Sequence, residues 1–88
     1  MTLNKDKAKF SQVIGYKDSD SMHLLFEILQ FLELQKNETL EFNMPEINLH
    51  TKTRIDGKAQ PLIDKLTEDG YIEKMKHGKM RVIKNPWQ

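Results

Sequence analysis

Apolar positions first organise the chain between residues 22 and 35. Leu24, Leu25, Ile28, Phe31 and Leu32 recur at the spacing of one helical face. Met22, Phe26, Leu29 and Leu34 widen that face until only a stripe through His23, Glu27, Gln30 and Glu33 is polar. DSDS at 18–21 supplies side-chain acceptors for the unbonded amides of a helix start. The pattern predicts a helix from Met22 to about Gln35 that needs burial on two sides, by the N-terminal segment or by a second subunit. An ordinary core is the simpler account of that face.

The period then changes. TLEF (39–42) reads as a short strand, with Leu40 and Phe42 alternating with Thr39 and Glu41. Asn43 with Glu46 fits a capping box and Pro45 suits a first turn, which predicts a very short helix (45–50) anchored by Ile47 and Leu49. A further helix spans Pro61 to Asp69, with Leu62, Ile63 and Leu66 inward and Gly70 as its stop. Its start is ambiguous over 51–60. Thr53 or Asp56 offers a cap, whereas Gly57 and Pro61 weaken an early start. YIEKMKHGKMRVIK (71–84) alternates on both sides of His77-Gly78 and predicts a hairpin with a two-residue turn. Asn85-Pro86 ends it, and Trp87 is expected to fold back onto the body. Ahead of the first helix, residues 1–9 read as a mobile basic arm. KFSQVIGY (9–16) reads as a short strand or one helical turn packed on the body.

With 88 residues there is room for one domain and one modest core. A composition of 38% hydrophobic and 31% charged residues argues against a disordered tail and a membrane span. No signal peptide is visible, and the absence of cysteine removes disulfides and Cys-based metal sites. The cytoplasm is the expected compartment. The net charge of +1 conceals an asymmetry. Residues 1–49 hold five Lys against eight acids, a net of −3, and residues 50–88 hold nine Lys and Arg against five acids, a net of +4. A basic half points to a localised anionic partner.

The hairpin concentrates that charge. A two-residue loop at 77–78 pairs Lys76 with Lys79, Lys74 with Arg81, and Ile72 with Ile83. One face then carries an apolar base and four cations toward the tip. Each stacked cation pair costs roughly 0.2–1 kcal/mol unless an anion offsets it. A four-residue loop keeps this register, whereas a three-residue loop scrambles it. Lysines that block edge-to-edge aggregation are the bland alternative, set against the clustering at the tip and the further cations Lys52, Arg54, Lys58 and Lys65.

The order helix, short strand, short helix, helix, hairpin resembles the winged helix-turn-helix DNA-binding family over roughly residues 20–86. LIDKLTEDGYIEKMKHGKMRVI is similar to that family's passage from recognition helix into wing. The closing VIKNP is faintly similar to winged-helix replication proteins of plasmids from low-GC bacteria. The resemblance implies a small α+β domain at 19–88, three helices with a C-terminal two-stranded β-hairpin wing, preceded by an arm at 1–18. It implies double-stranded DNA as partner, with a helix in the major groove and the wing on the backbone. Carried onto this chain, Thr51, Lys52, Thr53, Arg54, Lys58 and Gln60 become the helix-side contacts. Arg54 is the candidate reader of guanine. Lys74, Lys76, His77, Lys79 and Arg81 become the wing contacts. The implied role is transcription regulation, or plasmid or phage replication or DNA transfer. A homodimer through helix 22–35 or the N-terminal segment would add contacts.

Catalysis is not expected. His23, His50 and His77 fall on different elements without ligand spacing, and no phosphate-binding loop or nucleophile motif appears. No cofactor and no small-molecule ligand are expected. The rival reading is a winged helix that binds protein instead of DNA.

Overall fold

The computed structural model describes residues 3–13, 16–51 and 59–87. Three helices, α1 (Ser19–Leu34), α2 (Met44–Thr51) and α3 (Ala59–Glu68), pack with three strands, β1 (Glu41–Asn43), β2 (Ile72–Lys74) and β3 (Lys79–Val82). The result is a small α+β fold. The strands form one antiparallel sheet in the order β1-β3-β2. The two-stranded hairpin expected from sequence is therefore extended by a third strand. Phe42 on β1 lies opposite Met80 and Glu41 opposite Arg81. TLEF signals a strand, but the strand is Glu41–Asn43: Thr39 lies in a turn and Leu40 at φ 60°, and pairing with a segment so distant in sequence left no local signal.

Helix α1 starts three residues earlier than its apolar pattern, because Asp18 caps it. The Asp18 carboxylate accepts from the backbone amides of Asp20 and Ser21 at 3.0 and 3.3 Å, and from the Ser21 hydroxyl at 2.8 Å. Met22, Leu24, Leu25, Ile28, Leu29 and Leu32 are all buried within this one chain. The predicted second cover is the N-terminal segment. Phe10 stacks on His23 with ring centroids 4.5 Å apart and meets Phe26 and Trp87 edge-on at 5.6 and 5.8 Å. Trp87 is buried against Phe26 as well, so it does fold back onto the body. Residues 3–9 are not an arm. Leu3 is buried in the common core, and a short 3-10 turn at Lys5–Lys7 is capped by the Asn4 side chain. The predicted polar stripe of α1 is also partly covered, since Glu27 is buried, with His23 one turn away at 3.8 Å.

Both long helices end in the same hydrogen-bond pattern. After α3, the Tyr71 amide donates to the Leu66 carbonyl and the Gly70 amide to that of Thr67, with Gly70 at φ 85°. After α1, Asn37 donates to Leu32 and Lys36 to Glu33, with Lys36 at φ 55°. Gly70 was readable as a stop. Lys36 occupies a left-handed position that favours glycine, held there by the bonds around it. The Asn43–Glu46 cap forms as expected. The Glu46 amide donates to Asn43 Oδ1 at 3.1 Å, and Asn43 Nδ2 donates to Glu46 Oε1 at 2.9 Å. Pro61 falls in the first turn of α3, where its missing amide costs no helical bond.

Candidate nucleic-acid interface

The turn between β2 and β3 has the expected two residues. His77 and Gly78 both adopt positive φ, 61° and 74°, as the mirror-image hairpin turns require. The Lys79 amide closes the turn on the Lys76 carbonyl. Beyond it the register differs from the expected one. The Met75 amide donates to the Lys79 carbonyl at 2.7 Å, so Met75 and Lys76 both face Lys79, and one extra residue is accommodated on the first strand. The pairs that follow are Lys74–Met80, Glu73–Arg81 and Ile72–Val82.

That one-residue slip moves the cations between faces. Lys74 does not face Arg81. It lies on the core side of the sheet, at its end, where its ammonium reaches Asp64 of α3 at 3.3 Å. Arg81 lies on the other side, opposite Glu41 on one neighbour and Glu73 on the other, and donates through Nη2 to Glu73 Oε2 at 2.8 Å. A guanidinium bonded to one carboxylate and set opposite a second has its charge locally balanced. Arg81 is therefore better explained as a sheet residue than as a backbone contact. The expected stack of two cation pairs does not form.

What stays bare is the tip. Lys76, His77 and Lys79 are exposed, and no acid pairs with them among the described residues. Beneath the tip, Gln60, Lys74, Met75, Gly78, Lys79 and Met80 line a shallow groove of about 190 Å³ with Met44 at its edge. This groove joins the start of α3 to the hairpin. It brings together Gln60, Lys74 and Lys79 of the residues singled out from sequence. Asp64 organises its helix side: it accepts from Gln60 Nε2 at 3.0 Å and from Lys74. The i, i+4 spacing of Gln60 and Asp64 was available in the sequence. The reach of Lys74 was not.

Thr51 does not belong to this surface. It is buried at the end of α2, and its hydroxyl donates to the Ile47 carbonyl at 2.8 Å. Lys52, Thr53, Arg54 and Lys58 lie outside the described residues.

One ion pair ties α3, which carries one side of the groove, to the start of α1. Lys65 of α3 donates to the Asp18 carboxylate at 2.7 Å, across to the start of α1. The Lys65 ammonium, helped by the Ser21 hydroxyl, pulls the Asp18 carboxyl down to about 2. Elsewhere the described residues show no cluster of His, Asp or Glu arranged to hold a metal ion. None of their helices is long and apolar enough to cross a membrane.

In comparisons with protein families, characterised proteins and solved structures, nothing matches this chain.

Proposed function

We propose that this chain is a double-stranded DNA-binding protein of winged-helix type, with the start of α3 in the major groove and the hairpin tip on the flanking backbone. The observation that carries the reading is the contrast within the hairpin. Lys76 and Lys79 frame a tight turn with no acid partner among the described residues, while Lys74 and Arg81 are matched to carboxylates. The element order, helix, strand, helix, helix, hairpin, supports the same reading. Gln60 stands in the first turn of α3, and its carboxamide suits the two-point recognition of adenine. Lys52, Arg54 and Lys58 add cations in the sequence just ahead of that helix. A single copy makes few contacts, so tight specific binding calls for two copies or tandem sites. The role is cytoplasmic, in transcription regulation or in plasmid or phage replication or transfer.

Fluorescence anisotropy with random double-stranded DNA at low and moderate salt tests this. Binding that weakens steeply with salt, and is lost in folded Lys76→Glu/Lys79→Glu, is the expected result. Absence of binding by the wild-type chain at low salt overturns it. Exposed Leu34 and Leu49 favour a second reading as a protein-binding module. That reading predicts partner affinity with a weak salt slope.

A further inference from the structure

A second cleft, of about 550 Å³, opens where residues 6–13 cross the base of the hairpin. Lys7 and Lys9 come from the N-terminal segment and Lys84 from the chain just after β3, and Asp6 is the one acid on its rim. Val13 and Pro86 are half-buried on its walls, and Tyr71 and Trp87 form the floor. None of the three lysines has an acid partner among the described residues. Lys84 Nζ instead lies 4.8 Å from the centroid of the Tyr71 ring, which places an ammonium at the cleft. Trp87 is buried, and its indole N–H has no hydrogen-bond partner among the described residues.

Three properties of this cleft select a ligand class. Its size lies in the range of small-molecule sites, about 300–1,000 Å³, and far exceeds what a lone inorganic ion fills. Lys7, Lys9 and Lys84 against Asp6 leave a charge of +2 on its rim. That matches a phosphate monoester, at about −1.5 to −2 near neutral pH, better than a single carboxylate. Its walls are apolar between the cations, which suits a planar organic body attached to the phosphate. We infer that this cleft binds a nucleotide unit, its phosphate among Lys7, Lys9 and Lys84 and its base against Val13 and Pro86, above the buried rings of Tyr71 and Trp87. The same unit is presented by a free mononucleotide or by the 5′-phosphorylated end of a single strand. Such a ligand ties the N-terminal segment to the base of the hairpin. The inference is independent of DNA binding at the tip, because it uses no residue of the groove beneath the turn.

Trp87 is the one tryptophan in the sequence and lies in the cleft, so its emission reports on this site. The full chain is titrated at low salt with AMP, adenosine, inorganic phosphate and the 5′-phosphorylated single strand dT6. The expected result is a saturable change in Trp87 fluorescence with AMP, and none with adenosine or phosphate at the same concentrations. Lys7→Gln/Lys9→Gln, both at exposed positions, weakens AMP about tenfold or more, as loss of charge-assisted contacts demands. Lys76→Gln/Lys79→Gln leaves the AMP titration unchanged. A stronger response to dT6 than to AMP, equally sensitive to Lys7 and Lys9, supports the site and assigns the unit to a strand end. No saturable response to AMP or dT6 overturns the inference. So does a response that phosphate alone reproduces, or one that Lys7→Gln/Lys9→Gln does not shift.

Discussion

Lys79 and Arg81 are two residues apart on one strand, point to the same side of the sheet, and have opposite electrostatic fates. Arg81 sits between Glu41 and Glu73 and bonds to the latter. Lys79 sits between Asn43 and the end of β2, with no carboxylate paired to it among the described residues. The middle of the hairpin is therefore an electrostatically closed unit, and its tip is an open one. A count of basic residues treats the two alike. Only the register, set by the extra residue at Met75–Lys76, separates a cation that holds the sheet together from one available to an outside anion.

The contrast can be broken most directly at the tip. Lys76→Glu/Lys79→Glu is expected to weaken double-stranded DNA binding by about a hundredfold or more at low salt, given the dominance of phosphate contacts. Arg81→Gln, by the same anisotropy measurement, is expected to change affinity by less than about threefold. Its cost falls on stability, about 0.2–1 kcal/mol for an exposed pair. Equal losses of affinity in the two variants would remove the distinction between tip and middle.

Asp18–Lys65 extends the comparison to a second closed pair, between helices. Asp18→Ala removes the cap of α1 together with the link to α3, and should lower stability by about 1–2 kcal/mol in urea titration. The pair also has a pH signature. The folded carboxyl titrates at about 2, below its ordinary value of 3.8. Its contribution is therefore complete above pH 3.8 and is lost as pH falls from there toward 2. Wild type should lose stability through that window, and Asp18→Ala should lose less.

Asp64 holds Gln60 and Lys74 at the helix side of the groove, and Asp64→Asn sharpens the open side of the contrast. Removing a negative charge near incoming phosphates should strengthen DNA binding by a few-fold, about 1 kcal/mol or less. The smallest effect is expected at His77. A left-handed residue ahead of glycine suits asparagine better, so His77→Asn should raise hairpin stability by about 0.5 kcal/mol, read as a shift in the urea midpoint. DNA affinity should be unchanged if the turn acts only by holding Lys76 and Lys79.

Elements with local causes could be read from the sequence. The apolar face of α1, the Asn43–Glu46 cap, the Gly70 stop and the His77-Gly78 turn all rest on residues within four positions of one another. The facts that define the site do not. Glu41 meets Arg81 through a pairing that spans two helices, and Lys74 finds Asp64 only once α3 has packed on the sheet. The hairpin lies between these cases. Its turn was readable, whereas the extra residue beside it left no trace in the alternation, and that residue decides which cations face which side. At the start of the chain the difference was one of kind. A lysine-rich start looks like a solvated arm, yet Leu3 and Phe10 suffice to lay it across the back of α1, where Trp87 completes the cover.

β3 is the middle strand of the sheet and the last strand in the chain. A hairpin such as β2–β3 closes in about 1–10 μs, whereas β1 can join only after a much longer loop has closed. On the ribosome, β1 emerges with both edges unpaired and has no strand to join until residues 79–82 follow it. The three α-helices, all ahead of β3, are made first but cannot finish their core, because Phe42 packs opposite Met80. A chain interrupted before Lys79 would expose that half-built sheet edge to other chains. Synthesis of the final strand is thus the step that turns a collection of helices into a single cooperative unit.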